Sequence, residues 1–126
     1  MRILVFLSAL FICASLTVAD AAPTSIAGSW SGTGTVGYRG SVDKVRCRAR
    51  FTKTSGQSFA VTSVCTTANG HYDISGNVTS TGGGRYRGTV ISGNASGRVV
   101  LFHRGTHLSV SVTGRRGSAQ IRLSRR

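Results

Sequence analysis

The sequence predicts an all-β domain, an antiparallel up-and-down meander of about eight strands closed into a barrel, and three observations carry that prediction. Apolar and polar residues alternate with the period of a strand, and almost no segment has apolar residues at helical spacing. Seventeen glycines and a single proline punctuate short runs, as tight turns require. Eight such runs suit a sheet that closes on itself and leaves no free edge; a β-sandwich is the alternative.

The first 21 residues read as an export signal, leaving 22–126 as a single domain. Met1-Arg2 supplies a positive start, Ile3 to Val18 is apolar apart from a few Ser and Thr, and Ala19-Asp20-Ala21 has the A-x-A spacing of a cleavage site. The apolar run is short for a membrane span. Ile12 also stands where a lipid-anchor signal before Cys13 needs a small residue. The mature chain is therefore expected in the periplasm or outside the cell, without a transmembrane anchor.

The strands follow in order. In the first, Ile26, Gly28, Trp30, Gly32, Gly34, Val36 and Tyr38 share the inner face, with Ser29, Ser31, Thr33 and Thr35 outside. The second, "DKVRCRARFTK", turns Val45, Cys47, Ala49 and Phe51 inward and Lys44, Arg46, Arg48 and Arg50 outward. A turn at Ser55-Gly56-Gln57 leads to the third, with Phe59, Val61, Ser63 and Cys65 inside. Further strands are expected at Tyr72 to Thr79, Tyr86 to Ile91, Gly97 to His103, Leu108 to Thr113 and Ala119 to Leu123. Their inner residues are Tyr72, Ile74 and Val78, then Tyr86 and Val90, then Leu108, Val110 and Val112, then Ala119, Ile121 and Leu123. "RVVLFHR" is apolar on both faces, so its orientation stays open. Asn69-Gly70, Gly82 to Gly84, Ser92-Gly93-Asn94, Arg104-Gly105-Thr106 and Gly114 to Gly117 supply the turns.

Cys47 and Cys65 remain as an even pair after loss of Cys13, which in an oxidising compartment reads as one disulfide. The strand pattern predicts the same pairing independently. A hairpin centred on Gly56 sets Cys47 opposite Cys65, Phe51 opposite Val61 and Ala49 opposite Ser63, close enough for a disulfide. A zinc site needs four ligands, and two thiols with three scattered His do not supply them. No metal or other cofactor is expected.

Gly28-Ser29-Trp30 at the head of an eight-strand meander resembles the G-x-W start of calycin-type barrels, the lipocalin and avidin group. One cysteine pair in a short mature chain also resembles the bacterial periplasmic metalloprotease inhibitors of the same shape. "GSWSGTGTV" followed by "VRCRARF" and a second Cys in the next strand is similar to small exported proteins of alphaproteobacteria. The resemblance implies a packing role for Trp30 at the barrel floor and implies no activity.

Charge is the strongest functional signal. Removing residues 1–21 takes away Arg2 and Asp20, so fifteen cations face two carboxylates, Asp43 and Asp73, and the net charge stays at +13. The chain cannot neutralise its own arginines, so solvent ions or an anionic partner must. Cations at alternate strand positions lie about 6.7 Å apart and repel by only about 0.6 kcal/mol in water, so a merely solvated face is affordable. As an anion-binding surface the candidates are Lys44, Arg46, Arg48, Arg50, Arg85, Arg87 and Arg122, with Arg115, Arg116, Arg125 and Arg126 at turn and tail. Arginine suits phosphate and carboxylate through its planar fork.

For an exported protein the expected partner is an anionic polymer or surface, such as lipopolysaccharide or acidic polysaccharide. Trp30, Phe51, Phe59, Tyr72 and Tyr86 all fall on the inner face, so nucleic acid is a non-specific partner at most. His71 and Asp73 share an outward face and His103 and His107 flank a turn, but no motif places a nucleophile beside them, and no catalysis is expected. Asn77-Val78-Thr79 and Asn94-Ala95-Ser96 fit a glycosylation pattern that matters only in a eukaryotic host. Two other readings stay open. A carrier would use the barrel interior, where glycines at 28, 32 and 34 either leave space or let strands curve. A protease inhibitor would act through the N-terminal "APTSIAG".

Overall fold

A computed structural model describes residues 25–126; the expected export signal, residues 1–21, lies outside the described residues. Eight strands run in sequence: β1 Gly28–Tyr38, β2 Ser41–Ser55, β3 Ser58–Thr67, β4 Gly70–Gly82, β5 Arg85–Ser92, β6 Ala95–Arg104, β7 His107–Gly114 and β8 Gly117–Arg125. Each pairs antiparallel with its neighbours in the chain, and β8 closes on β1 from Trp30 opposite Arg125 to Gly37 opposite Ser118. The architecture is a closed barrel, not a sandwich.

The β2–β3 hairpin has the register that the alternation dictates. Cys47 faces Cys65, Ala49 faces Ser63 and Phe51 faces Val61, with a bulge between Lys53 and Ser55 just before the turn. The two sulfurs are bonded, at a Cα separation of 4.1 Å.

The two ends of the barrel differ. Turns after β2, β4 and β6 gather at the end where β1 starts and β8 finishes. There the backbone is laced together: Ser80 N–H donates to Gln57, His103 to Gly84, Arg125 to Thr106 and Arg126 to Ser29. Ile26 and Trp30 are fully buried at this end. Phe59 and Tyr86 meet edge to face at 5.8 Å, and burial pushes the Tyr86 phenol above its ordinary value. The turns after β1, β3, β5 and β7 form the opposite end.

Inner glycines of β1 make close approach, not space. A Cβ on Gly32 or Gly34 would run into the carbonyl oxygens of Arg122 or Gln120, because β8 folds tightly over β1 at this seam. Gly28 yields its space to the Arg125 guanidinium. Gly32→Ala is therefore expected to cost about 1 to 3 kcal/mol of stability by forcing the closing seam apart. Thermal melts of this variant beside Ser31→Ala, its outward neighbour, measure the cost; equal melts would mean the seam tolerates a side chain.

Three residues depart from the sequence expectation. Tyr38 ends β1 beyond the last covered position and is 45% exposed, with the Arg39 guanidinium 5.5 Å from its ring. Tyr72 keeps inner parity but sits at the open end, 48% exposed. In "RVVLFHR" Val99 and Leu101 point in and Phe102 out, which carries His103 inward with them.

Candidate functional site

Large inner side chains crowd one end of the barrel and small ones line the other. Trp30, Phe51, Phe59, Tyr86, Leu101, Leu108 and Leu123 fill the floor half, while Ser63, Ala95, Gly97, Val112, Gly114 and Ala119 occupy the half toward the mouth. The difference in volume leaves a cavity of about 750 Å³. Its walls are apolar, formed by Val45, Val61, Ile74, Val90, Val110, Ile121 and the Cys47–Cys65 disulfide among others. Phe51, Val78, Leu101 and Leu123 are its lowest residues, above the Trp30 layer. Ser92, Asn94, Tyr72, Arg115, Arg116 and Ser118 ring the opening. This size gradient along successive strands is the sequence signal that identifies the cavity, and it is readable only once the two ends of each strand are assigned.

Beneath the cavity the floor is polar in an organised way. Trp30 Nε1 donates to the Ile26 carbonyl at 2.8 Å. The Arg125 guanidinium lies 4.3 Å from the Trp30 ring centre and donates to the carbonyls of Ala27 and Ser25, both at 2.8 Å. His103 meets the Trp30 ring edge-on at 5.5 Å and its Nε2 pairs with the Gly105 carbonyl at 2.9 Å. Arg125 is thus a buried-end clamp rather than a tail cation, and His103 is a floor residue rather than a surface one.

The outer face keeps the cation row. Lys44, Arg46, Arg48 and Arg50 are all exposed on β2. β1 lies between β2 and β8, with Thr33 opposite both Arg46 and Arg122, so Arg122 joins this patch. Arg85 and Arg87 do not. They stand on β5, three strands and about 14 Å of wall away, among Arg98 and Arg104 of β6, with the Arg85 guanidinium 4.7 Å from the outward Phe102 ring. The single anion surface expected from the sequence is therefore two patches, and one carries an outward aromatic. Arg48, Arg50 and Arg126 also line a second, open pocket with Ser29, Thr62 and Asp73.

His71 and Asp73 are both exposed on β4. His107 Nδ1 lies 3.3 Å from Ser124 Oγ, and His103 turns away from it into the floor, so the two flanking histidines do not converge. Among the described residues no three His, Cys, Asp or Glu gather as a metal site.

No family model matches the chain, and no curated protein matches it. Solved structures match the fold. A redesigned β-barrel, b11L5F_LGL, superposes with a TM-score of 0.68 at 18% identity, covering 86% of this chain and 98% of that one. Another redesigned barrel, mFAP1, solved bound to DFHBI, gives 0.66 at 14% identity over 79% of this chain and 94% of its own. Rv2717c from M. tuberculosis gives 0.59 at 14% identity, over 79% and 92% of the two chains. At these identities the likeness is one of fold.

Proposed function

We propose that the protein is an exported, non-catalytic carrier that holds a small and largely apolar molecule inside the barrel. The observation that carries this reading is the cavity of about 750 Å³, within the range of small-molecule sites and apolar on its walls. Its closed floor and open mouth give one way in. A disulfide in the wall suits an oxidising compartment, in keeping with export. The mFAP1 barrel, solved bound to DFHBI, is a protein of this architecture holding a small molecule.

Fluorescence of a neutral solvatochromic dye tests the reading. Dye binding is expected in the wild type and lost in Ala119→Trp, which fills the mouth half of the cavity from β8, while Ser111→Trp on the outside of β7 retains it. Equal binding by all three proteins would place the dye on the surface and remove the carrier reading.

A second reading rests on the exposed row at Lys44, Arg46, Arg48 and Arg50 with Arg122 beside it, a contact surface for lipopolysaccharide or acidic polysaccharide. Here Arg46→Glu with Arg48→Glu is expected to move elution from an anionic polymer column to below about 0.15 M salt, where the Debye length is about 8 Å. Elution of wild type and variant at the same strength would leave the row a solvated face. For a protease inhibitor acting through Ala22 to Ser25, only Ser25 falls within the described residues, and its carbonyl is held by Arg125.

A further inference from the structure

We infer that the cavity takes a single-chain amphiphile with an anionic head, carboxylate or phosphate monoester, whose chain lies in the barrel and whose head is met by Arg115 and Arg116. The inference rests on the carrier reading and adds the chemical class of the ligand.

Arg115 and Arg116 are the charged side chains that line the cavity. They form the two-residue turn between β7 and β8, where Gly114 and Gly117 pair with each other. The end of that hairpin is wedged in place, since Gly114 lies against the Ser96 carbonyl of β6 and Gly117 against the Gly37 carbonyl of β1. The backbone that carries two adjacent arginines is thereby held at the lip of a mostly apolar chamber. Neither Asp43 nor Asp73, the carboxylates of the described residues, lines it. An anionic head arriving here meets planar donor forks that suit a carboxylate or phosphate. Asn94 and Ser118 stand at the same lip and offer further donors. Below the lip, the walls down to the floor are mostly Val, Ile and Leu side chains with the disulfide, Phe51 and a single inward hydroxyl at Ser63, a lining that suits a hydrocarbon chain. A neutral apolar molecule would leave both arginines without a counterpart, and a small hydrophilic anion would leave the chamber wet.

Displacement of the neutral dye from the purified, disulfide-bonded protein tests this with dodecanoate, dodecyl phosphate and dodecanol, each below its aggregation concentration. At about 0.15 M salt both anionic ligands are expected to displace the dye at about one-tenth the concentration that dodecanol needs, the size of one charge-assisted hydrogen bond. In Arg115→Gln with Arg116→Gln that preference is expected to fall to within about threefold, each amphiphile being read against the variant's own dye affinity. The single variants guard against misfolding of the double one, each expected to lose part of the preference. Preference for one head over the other, if both fade in the variant, identifies the head and supports the inference. Dodecanol matching the anions, a preference that survives the double variant, or one lost instead in Arg46→Gln with Arg48→Gln overturns it and leaves the carrier reading standing. Failure of the dye and of every amphiphile to bind overturns both.

Discussion

Trp30→Ala is expected to lower the unfolding free energy by about 3 to 5 kcal/mol, the usual cost of deleting a large buried aromatic. Trp30 is fully buried, so the indole leaves a void that its neighbours cannot collapse into while the floor turns are laced together. More than packing is lost. The Ile26 carbonyl loses its donor, and the Arg125 guanidinium loses the ring it lies against at 4.3 Å. For a small domain whose whole stability is about 5 to 15 kcal/mol, such a loss approaches unfolding. Urea titrations followed by far-ultraviolet circular dichroism are the right measurement, because Trp30 is the one tryptophan and the variant has no indole signal. Trp30→Phe keeps a ring under Arg125 and should recover much of the loss. A cost below about 1 kcal/mol for the alanine variant would mean that the floor is not a packed layer.

Reduction of the Cys47–Cys65 disulfide, or its replacement by two alanines, is expected to cost about 3 kcal/mol on the chain-entropy model for a loop of this length. The bond joins residues 18 apart, set opposite each other by the register of the hairpin. The stabilisation comes from fewer open conformations of the unfolded chain. A second effect follows from position: both cysteines line the cavity. Reduction should therefore weaken dye binding at temperatures where the protein is still folded. Denaturation midpoints with and without a thiol reductant give the first number, and dye titrations at a temperature well below the reduced protein's melt give the second. Identical midpoints would mean that the hairpin is already ordered in the unfolded chain.

The register of the β2–β3 hairpin through the cysteines is legible because everything that specifies it is local, while the bulge before its turn is not. Side-chain alternation sets the faces, Gly56 sets the centre, and the cysteine spacing agrees with both. What escaped was set by closure. Arg125 sits six positions after Ala119 at the end of the chain and reads as a tail cation; only the β1–β8 pairing brings it to carbonyls 98 and 100 residues away. The position of Arg122 beside Arg46, and of Arg85 across the barrel from it, likewise depends on strand order around a ring. His103 was hidden for a different reason. Its strand is apolar on both faces, so nothing in "RVVLFHR" favours one parity until Val99 and Leu101 are packed. The three inner glycines show the same limit, since a missing side chain reads equally as room or as contact until the opposing strand is placed.

Seven of the eight seams in this barrel join strands that are consecutive in the chain, and one joins its first strand to its last. Hairpins assemble in microseconds, whereas the last seam requires the closure of nearly the whole domain and must wait for the sheet to curl. Until it forms, β1 and β8 are two bare edges, each able to pair with another copy. The arginines then act before there is any barrel to decorate. Arg122 and Arg125 ride on one edge, and the Lys44 to Arg50 row backs the other. Two half-formed chains approaching edge to edge bring these charges together first, while within one chain the floor clamp draws Trp30 and Arg125 into place. An excess of like charge thus keeps the unfinished protein to itself.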